Sequence, residues 1–307
     1  MNESIAWFYN DCDSTSDSKW IPFGDVDNRI IEEAFSNGKT HVQLDQCSID
    51  LRQCRRTHRQ RTNSVRSDRF YTCEKLCQPL NEDETKNNYR FMNECRKQYR
   101  SIPTDQLLEK AAEGIITEGS ALDKQKEAEW IGEQLRSVKG KSKPDIEKCV
   151  IFLYTFESFL YRLINRTLRE NDHSKMNTLG AFCQILFQTD CSPTTEKVGY
   201  NDTLYRGAQL DQKTIKSYEQ SIGQIKTWDA FTSTSKIRAK AECYGNVLFI
   251  INHDHSTRYK WSGMDISAIS FYPSEDEVLI RAARNFRVDN VEKDPSKEKY
   301  IISLTLC

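Results

Sequence analysis

Three groups of polar residues stand beside runs of strand-forming residues in the second half of this chain. The segment SEDEVLI places Glu275 and Glu277 directly before three apolar residues. Arg206 lies in TLYRGAQL, and the segment TWDAFTSTS ends with STS, a group of three hydroxyl residues. Carboxylates take up protons and stabilise positive charge, whereas arginine binds anions such as phosphate. Together these groups form the candidate site of the chain.

Each group also has an ordinary structural explanation. Arg206 could be a surface arginine, and the three hydroxyl residues could form a turn that bonds its own backbone. Glu275 and Glu277 could form a solvated edge that prevents aggregation of the neighbouring strand. One short motif is weak support for a function, so a function can be inferred only from the order of all three groups along the chain.

The elements that position these groups follow from the pattern of the whole chain. A length of 307 residues suits two modest domains. Short strands around one helix are predicted in residues 1–80, and a charged helical connector in 81–103. Residues 104–307 divide into a helical part, 104–196, and a part with strands, 197–307. Since helices and strands are segregated, the pattern predicts the α+β class.

The predicted strands carry the candidate residues at their ends. TLYRGAQL predicts a strand that ends at Arg206, with Gly207 allowing close approach of another backbone. TWDAFTSTS predicts a second strand, GNVLFIINH an apolar central strand, and SEDEVLIRAA, NFRVDNVE and KYIISLTL three more. In an extended segment, residues i and i+2 lie about 6–7 Å apart on one side. Glu275 and Glu277 would then point the same way.

Two helical segments have recognisable patterns. In DNRIIEEAFSNG, Asp27 could cap the start and Gly38 suits the end. Its apolar face would consist of Ile30, Ile31, Ala34 and Phe35. CVIFLYTFESFLYRLI predicts one buried core helix, because charged residues interrupt it and a membrane span needs roughly 20 apolar residues.

Charge and cysteine content restrict the class of protein. The 44 basic and 45 acidic residues nearly cancel, so no overall field attracts nucleic acid or a membrane. The start, MNESIAWFYNDCD, lacks the features of a secretory signal. We therefore expect a cytoplasmic protein, with the nucleus as the alternative, whose 11 cysteines are reduced. No cysteine or histidine spacing matches a zinc site, so no metal is expected.

The ordered segments LYRG, FTSTS and SEDEVLI resemble the arginine–serine–glutamate signature of ADP-ribosyltransferases. The resemblance is to the branch with a Glu-x-Glu motif, which includes cholera-like toxins and animal arginine-specific mono-ADP-ribosyltransferases. It extends more loosely to FLYTFESFLYRLINRTLR, which is similar to the helix before the catalytic half in animal members. This implies a helical lobe followed by a mixed β-sandwich that binds NAD as co-substrate.

The resemblance also implies a role for each residue of the signature. The reaction breaks the bond between ribose and nicotinamide through a cation like the oxocarbenium ion of glycoside hydrolysis. Glu277 would stabilise this charge, and Arg206 would hold the diphosphate. Ser233 would hold Glu277 in place, and Gly207 would offer its backbone to the nicotinamide amide. The other residues of the NAD-binding surface would be Thr234 and Ser235.

Glu275 implies that the acceptor is arginine. A guanidinium is protonated at biological pH, so it needs an anion that orients it and takes a proton as it attacks. The resemblance gives this role to Glu275 and places Tyr272 at an aromatic position that helps to select the target protein. Animal members usually have prolines after the apolar run, whereas this chain has Arg281 and Ala282. This difference lies outside the reacting groups.

The N-terminal region is similar to a WWE domain, a small half-barrel packed on one helix. The segments that carry this resemblance are WFYND, WIPF, RIIEEAFSNG and CSIDLRQ. Several WWE domains bind poly-ADP-ribose at an iso-ADP-ribose unit, which would here involve Trp7, Tyr9, Trp20, Arg56 and Arg66. Ligand-binding members often have an aromatic residue where this chain has Cys47, and Gln where it has Arg56. The basic run RRTHRQRTNSVRSDR could bind phosphate groups or form a solvated edge.

Three functions remain open at this point. We favour an NAD-dependent mono-ADP-ribosyltransferase that modifies protein arginine, with a WWE domain that would bind ADP-ribose polymers or partner proteins. An NAD glycohydrolase, with water as acceptor, would share every site residue. A non-catalytic ADP-ribose reader or adaptor is disfavoured because Arg206, Ser233, Glu275 and Glu277 are all present. No membrane partner is expected, and nucleic acid is a disfavoured partner.

Overall fold

The computed structural model describes residues 4–10, 20–53, 57–62, 90–189, 203–253, 263–270, 275–296 and 298–307. Within these ranges, none of the helices combines the length and the apolar character that crossing a membrane requires. The six cysteines in the described part of the chain are free thiols: Cys47, Cys95, Cys149, Cys183, Cys243 and Cys307.

The N-terminal part is a small α+β unit. Its strands are β1 (Ser4–Asn10), β2 (Trp20–Pro22), β3 (His41–Gln43), β4 (Ser48–Asp50) and β5 (Thr57–Thr62). Strands β2, β1 and β5 form an antiparallel sheet in that order, and β3 pairs with β4. Helix α1 (Asp25–Ser36) packs on this sheet, and a 3-10 turn, Leu51–Gln53, follows β4.

Helix α1 starts two residues before the predicted cap. Its N-cap is Gly24, and Asp25 and Asp27 lie in the first turn, where carboxylates stabilise the positive end of the helix dipole. The predicted cap at Asp27 was therefore wrong. The predicted end is confirmed, since Gly38 has a φ of +68° and follows the C-cap residue. Phe35 does not share the buried face, because it is 38% exposed.

Six helices form a helical lobe around one apolar core. They are α2 (Phe91–Tyr99), α3 (Thr104–Ala121), α4 (Gln125–Ser137), α5 (Lys143–Thr155), α6 (Phe159–Glu170) and α7 (Met176–Gln188), with a 3-10 turn at His173–Lys175. Helix α2 lies in the segment predicted as a charged connector. Its buried residues Phe91, Met92 and Tyr99 belong to the core of the lobe, so this helix is part of the lobe.

The prediction of a single helix over residues 149–164 was wrong. The segment forms the end of α5 and the start of α6, with a break at residues 156–158. Glu127 of α4 accepts a hydrogen bond of 2.9 Å from the backbone N–H of Phe159 and so satisfies a donor at the start of α6. Because the group that caps α6 is distant in sequence, the local pattern does not reveal the break.

The last part is an eight-stranded sheet. Its strands are β6 (Leu204–Ala208), β7 (Ile225–Trp228), β8 (Thr232–Ser235), β9 (Val247–His253), β10 (Gly263–Asp265), β11 (Glu277–Ile280), β12 (Arg284–Asp294) and β13 (Lys299–Leu306). The strand order is β10-β11-β8-β6-β9-β13-β12-β7. Among the strands that the structure describes in this sheet, only the β9–β13 pair is parallel. Two helices, α8 (Gln212–Glu219) and α9 (Arg238–Glu242), connect strands.

The sheet has two sections that meet at one pair of residues. Strands β10, β11 and β8 form the first section, and β6, β9, β13, β12 and β7 the second. Strand β8 joins β6 through the single Cα pair Tyr205–Ser235. The β-sandwich expected from the resemblance is thus present as one mixed sheet with two sections. The single strand predicted for TWDAFTSTS was wrong, because β7 lies at an outer edge and β8 beside β11.

The two faces of the first section contact different apolar cores. Leu279 belongs, with Phe231, to the core of the helical lobe, whereas Val278 and Ile280 belong, with Phe249, to a second core within the sheet region. This alternation has the period of two expected for a strand that is covered on both faces. Strand β11 is therefore fixed between the lobe and the rest of the sheet.

Helix α1 of the N-terminal unit contacts the helical lobe directly. Val26 is 3% exposed and belongs to the core of the lobe. The indole N–H of Trp130 donates a hydrogen bond of 3.0 Å to Glu33. Asp45 accepts hydrogen bonds from the backbone N–H groups of Lys126 and Glu127, in the first turn of α4. A side chain of one unit thus caps a helix of the other.

Candidate active site

Arg206 is buried within strand β6. The strand continues to Ala208, so the predicted strand end at Arg206 was wrong. The side chain is 5% exposed, and its Nη1 donates a hydrogen bond of 2.6 Å to the backbone carbonyl of Ser233 in β8. This contact crosses the junction of the two sheet sections beside the Tyr205–Ser235 pair. A surface position for this arginine is therefore excluded.

The hydroxyl residues of β8 are buried and lie in a strand rather than a turn. Thr234 Oγ1 donates to the carbonyl of Val278 at 2.6 Å. Ser235 Oγ donates to the carbonyl of Glu275 at 2.8 Å and accepts from the N–H of Ile237 at 3.0 Å. Of these three contacts, only the one between Ser235 and Ile237 joins residues that are close in sequence. The hydroxyl groups thus bind β8 to the segment that carries both glutamates.

Glu277 is the first residue of β11 and is fully buried, with an exposed fraction of 0%. It pairs with Ser235 in the antiparallel ladder between β11 and β8. Ser270 Oγ lies 3.0 Å from Glu277 Oε2 and donates a hydrogen bond to it. Both the backbone and the carboxylate of Glu277 are therefore held in place. Ser233 pairs with Leu279, two positions further along β11, and makes no hydrogen bond with Glu277 through its side chain in the described part.

Glu275 lies before the strand rather than in it. Glu275 is 5% exposed and Glu277 is 0% exposed, so neither glutamate is part of a solvated edge. Asp276, between the two, has a φ of +47°, which is the left-handed region. The prediction that Glu275 and Glu277 lie in one extended segment was therefore wrong. Their relative direction depends on the backbone conformation of Asp276.

Gly207 allows a close approach of backbone, but the approaching group is part of the protein. A Cβ atom at Gly207 would lie 2.0 Å from the carbonyl oxygen of Ala241 and 2.7 Å from the Cβ atom of Tyr244. Only a residue without a side chain fits between β6 and the end of α9. The packing of α9 against β6 explains this glycine without a ligand.

Two lysines connect the strand ends around the glutamates. Lys236 Nζ pairs with Asp265 at 2.5 Å, and Lys240 Nζ pairs with Asp276 at 2.5 Å. Burial alone would raise the pKa of Asp265, but its hydrogen bonds with Lys236 and Ser267 outweigh burial and lower the pKa. These ion pairs tie the residue after β8 to the end of β10, and α9 to the residue before β11.

Several residues predicted for binding lie outside the described residues. They are Tyr272, Arg56, Arg66 and the side chain of Trp20. Trp7 is 1% exposed, and its indole N–H donates a hydrogen bond of 2.9 Å to Glu32. This environment is that of a core residue, which corrects the expectation of a ligand contact. Tyr9 is 38% exposed, with its ring centroid 5.0 Å from that of Phe23.

Two residues next to the candidate site were missed by the sequence analysis. Ser270 is 5% exposed and contacts Glu277, although no residue spacing indicates this contact. The sequence analysis assigned no role to Asp276, which lies between the two glutamates. Its residue type could have indicated a positive φ, since aspartate and asparagine are several-fold enriched among residues with positive φ.

The described residues form a site with a buried cation and two buried carboxylates. Arg206 and Glu277 come from the two sections of the sheet, and each contacts β8 near the junction, Arg206 at Ser233 and Glu277 at Ser235. Such a set fits a ligand with a negatively charged group and a centre that becomes positive during reaction. No cluster of potential metal ligands occurs among the described residues.

Comparison with known proteins agrees with both predicted resemblances. The family model described as NAD:arginine ADP-ribosyltransferase matches residues 93–305. The family model described as WWE domain matches residues 5–67.

Two similar proteins carry provisional names as NAD(+)–arginine ADP-ribosyltransferases. Mav, from Mycobacterium avium (strain 104), is 32% identical over 108 residues, which cover 34% of this chain and 12% of that protein. Vis, from Vibrio splendidus (strain 12B01), is 27% identical over 151 residues, which cover 46% of this chain and 57% of that protein. The chain thus spans little more than half of Vis and about an eighth of Mav.

Among solved structures, the type III effector XopAI from Xanthomonas axonopodis pv. citri aligns with a TM-score of 0.47 and 14% identity. The alignment covers 70% of this chain and 97% of that one. Since the transferase family model spans well over half of the 307 residues, the chain belongs to the NAD:arginine ADP-ribosyltransferase family.

Proposed function

We propose that this chain transfers the ADP-ribosyl group of NAD to arginine side chains of proteins. The observation that carries this proposal is the burial of two glutamates separated by one residue, Glu275 at 5% and Glu277 at 0% exposed. Buried carboxylates are costly unless their surroundings or their function require them. Membership of the NAD:arginine ADP-ribosyltransferase family supports the same conclusion.

The roles follow from the position of each group. NAD supplies an ADP-ribosyl group whose bond to nicotinamide breaks, with the bonding electrons leaving on nicotinamide. Glu277, held by Ser270, stabilises the positive charge that develops on the ribose. Arg206 contributes a buried cation for the diphosphate. Glu275 orients the acceptor guanidinium and takes the proton that leaves as its nitrogen bonds to the ribose carbon.

The test separates transfer to arginine from hydrolysis. The chain is incubated with NAD labelled in the adenylate part, together with polyarginine or, as the matched control acceptor, polylysine. We expect label on polyarginine and none on polylysine, with equimolar release of nicotinamide. Release of nicotinamide without label on either polymer would identify an NAD glycohydrolase and reject the transferase.

We also propose that the N-terminal domain binds ADP-ribose polymers, with Tyr9 as one contact. Tyr9 is among the exposed large side chains of the chain, and such aromatic surfaces can stack on a base. The match of residues 5–67 to the WWE domain family supports this assignment. The phosphate groups of the polymer make the affinity depend on salt.

This second proposal is tested with the whole chain by titration with ADP-ribose polymer at two salt concentrations. Tyr9→Ala is expected to weaken binding at least tenfold, the order of one stacked base. Leu122→Ala is the control, because Leu122 is also exposed, at 47%, but lies after α3 in the helical lobe. Equal binding by both variants would exclude Tyr9 from the contact surface.

A further inference from the structure

Asp276 has an unusual backbone conformation for a residue with a side chain. Its φ of +47° lies in the left-handed region, which costs energy for every residue except glycine and least for asparagine and aspartate. Strain of this kind persists only where surrounding contacts impose it, and it is concentrated at functional sites. Here it occurs between the two buried glutamates.

Hydrogen bonds to the carbonyl groups of Glu275 and Asp276 hold this conformation. On the N-terminal side, the carbonyl of Glu275 accepts a hydrogen bond from Ser235 Oγ at 2.8 Å. At the centre, the carbonyl of Asp276 accepts from the N–H of Lys236 at 3.2 Å, and its carboxylate pairs with Lys240 at 2.5 Å. The segment is therefore fastened to the end of β8 and to α9.

The two glutamates lie in different backbone environments, because only Glu277 belongs to β11. Glu277 pairs with Ser235 in the ladder, its carbonyl accepts from the N–H of Ile266 at 3.0 Å, and its carboxylate accepts from Ser270. Glu275 precedes the strand, and the bond to its carbonyl from Ser235 is the backbone contact described above. A change in the backbone at Asp276 would therefore move Glu275 while Glu277 stays in the sheet.

We propose that Asp276 is a positioning residue that sets the direction of Glu275 relative to Glu277 and thereby favours arginine over water as acceptor. The inference rests on the proposed function, in which Glu277 serves every acceptor and Glu275 serves only the guanidinium. The left-handed conformation, rather than the charge of the aspartate, is the property that matters. The Lys240 ion pair adds little because both side chains are more than a third exposed.

The experiment compares three substitutions of Asp276 in the whole chain. Asparagine removes the charge but tolerates the left-handed region, whereas alanine disfavours it and valine disfavours it more strongly. For each variant, label on polyarginine and release of nicotinamide without acceptor are measured from one preparation. We expect Asp276→Asn to keep the wild-type ratio of the two rates. Asp276→Val should lower that ratio at least tenfold, with Asp276→Ala between them.

Two further variants act as controls. Asp123 also has a left-handed φ, +56°, but lies between α3 and α4, so Asp123→Val introduces the same backbone penalty away from the site. It should lower the melting temperature without changing the ratio of the two rates. Lys240→Met removes the ion pair alone and should change the ratio less than threefold.

The outcomes separate this inference from the function on which it rests. If the wild-type chain modifies no arginine, the proposed function is wrong, and the inference falls with it. If the wild type does so but Asp276→Val loses both rates in parallel, only the inference is wrong. The inference would also be overturned if Asp276→Asn lowered the ratio of arginine labelling to nicotinamide release as much as Asp276→Val. The charge of Asp276, rather than its conformation, would then decide the acceptor.

Discussion

The hydroxyl of Ser270 donates a hydrogen bond of 3.0 Å to Glu277, and both residues are buried. The turn that follows β10 also contacts the backbone of Glu277, since the N–H of Ile266 donates to its carbonyl at 3.0 Å. The N–H of Ser270 in turn donates to the carbonyl of Ile266 at 2.7 Å. One turn thus fixes both the main chain and the carboxylate of this glutamate.

Ser270→Ala is expected to lower kcat by about 10- to 100-fold, since a hydrogen bond to a charged group contributes about 1.5–3 kcal/mol. The KM for NAD should change little if the lost contact acts on Glu277 rather than on the ligand. Ser270→Thr, which keeps a hydroxyl, should restore most of the rate. Steady-state kinetics of nicotinamide release measure both constants. Ser296→Ala is the matched control, because Ser296 also donates to a carboxylate, that of Asp294, but is exposed.

Glu277→Gln should remove both transfer to arginine and hydrolysis of NAD. An amide of the same shape cannot stabilise a developing positive charge, and loss of a main stabilising group costs about 100- to 1,000-fold or more. The measurement is nicotinamide release with and without an arginine acceptor, alongside a melting curve. A folded variant that cleaves NAD at a near-normal rate would contradict the role assigned to Glu277.

Glu275→Gln should remove transfer to arginine but leave much of the NAD hydrolysis. Water does not need the carboxylate that orients a guanidinium, and the contacts of Arg206 and Glu277 are unchanged by this substitution. Label on polyarginine and free nicotinamide are measured from the same preparation. A parallel fall in both rates would mean that Glu275 only supports the start of β11.

Asp45→Ala should destabilise the contact between the N-terminal unit and the helical lobe. The substitution removes the acceptor for two backbone N–H groups of α4, and loss of such a cap costs about 0.5–2 kcal/mol. We expect a lower melting temperature and faster hydrogen exchange of the amides of Lys126 and Glu127. Asp211→Ala is the control, since Asp211 caps α8 from within the sheet region. Unchanged exchange at α4 would exclude the cap.

Glu127→Gln should change how stability depends on pH. Burial raises the pKa of Glu127 above its usual 4.5, although hydrogen bonds from Phe159 and Lys124 oppose this. The folded state therefore binds the proton more tightly than the unfolded state, so stability falls as pH rises from 4.5 through the folded pKa. Because glutamine does not ionise, Glu127→Gln does not lose stability in this pH range. The variant should be as stable as the wild type, or more stable, at pH 7. Urea denaturation between pH 4 and pH 8 provides the comparison.

Glu129→Gln is the control for that measurement, because Glu129 lies on the same helix as Glu127 but its pKa is lowered rather than raised. Hydrogen bonds from Gln125 and Lys126 lower the pKa of Glu129. Its charged form therefore stabilises the fold above its unfolded pKa, and this contribution is lost as pH falls. A glutamine at position 129 should weaken the fold at neutral pH, if only slightly, because the pair is exposed. Identical pH profiles for the two variants would contradict both assignments.

The order of Arg206, Glu275 and Glu277 could be read from the sequence because Arg206 and Glu277 lie in buried strands and Glu275 lies shortly before one. Strand β9 was predicted as central from its continuous apolar run and lies between β6 and β13. The signature residues Arg206, Glu275 and Glu277 are buried at or beside the junction of the two sheet sections. The local sequence was enough to predict strand β9 because a strand that is buried on both faces is a continuous run of apolar residues.

The features that the sequence did not reveal depend on contacts between distant residues. The break between α5 and α6 is capped by Glu127, and the start of α4 by Asp45. Neither acceptor lies near the helix end in sequence, so no capping pattern is visible there. The left-handed φ of Asp276 likewise depends on hydrogen bonds from Ser235 and Lys236, at the end of β8, and the extended geometry assumed for the glutamates failed for that reason.

The position of β13 has a consequence for when the site can form during synthesis. This strand, Lys299–Leu306, follows every other strand that the structure describes, yet it lies between β9 and β12. A nascent chain that lacks it has two open strand edges, and β12 and β7 have no partner that joins them to β9. The ribosome must therefore release Lys299–Leu306 before the sheet section that holds Arg206 can close. A partly made chain that stops before β13 therefore carries the signature residues without the sheet that aligns them.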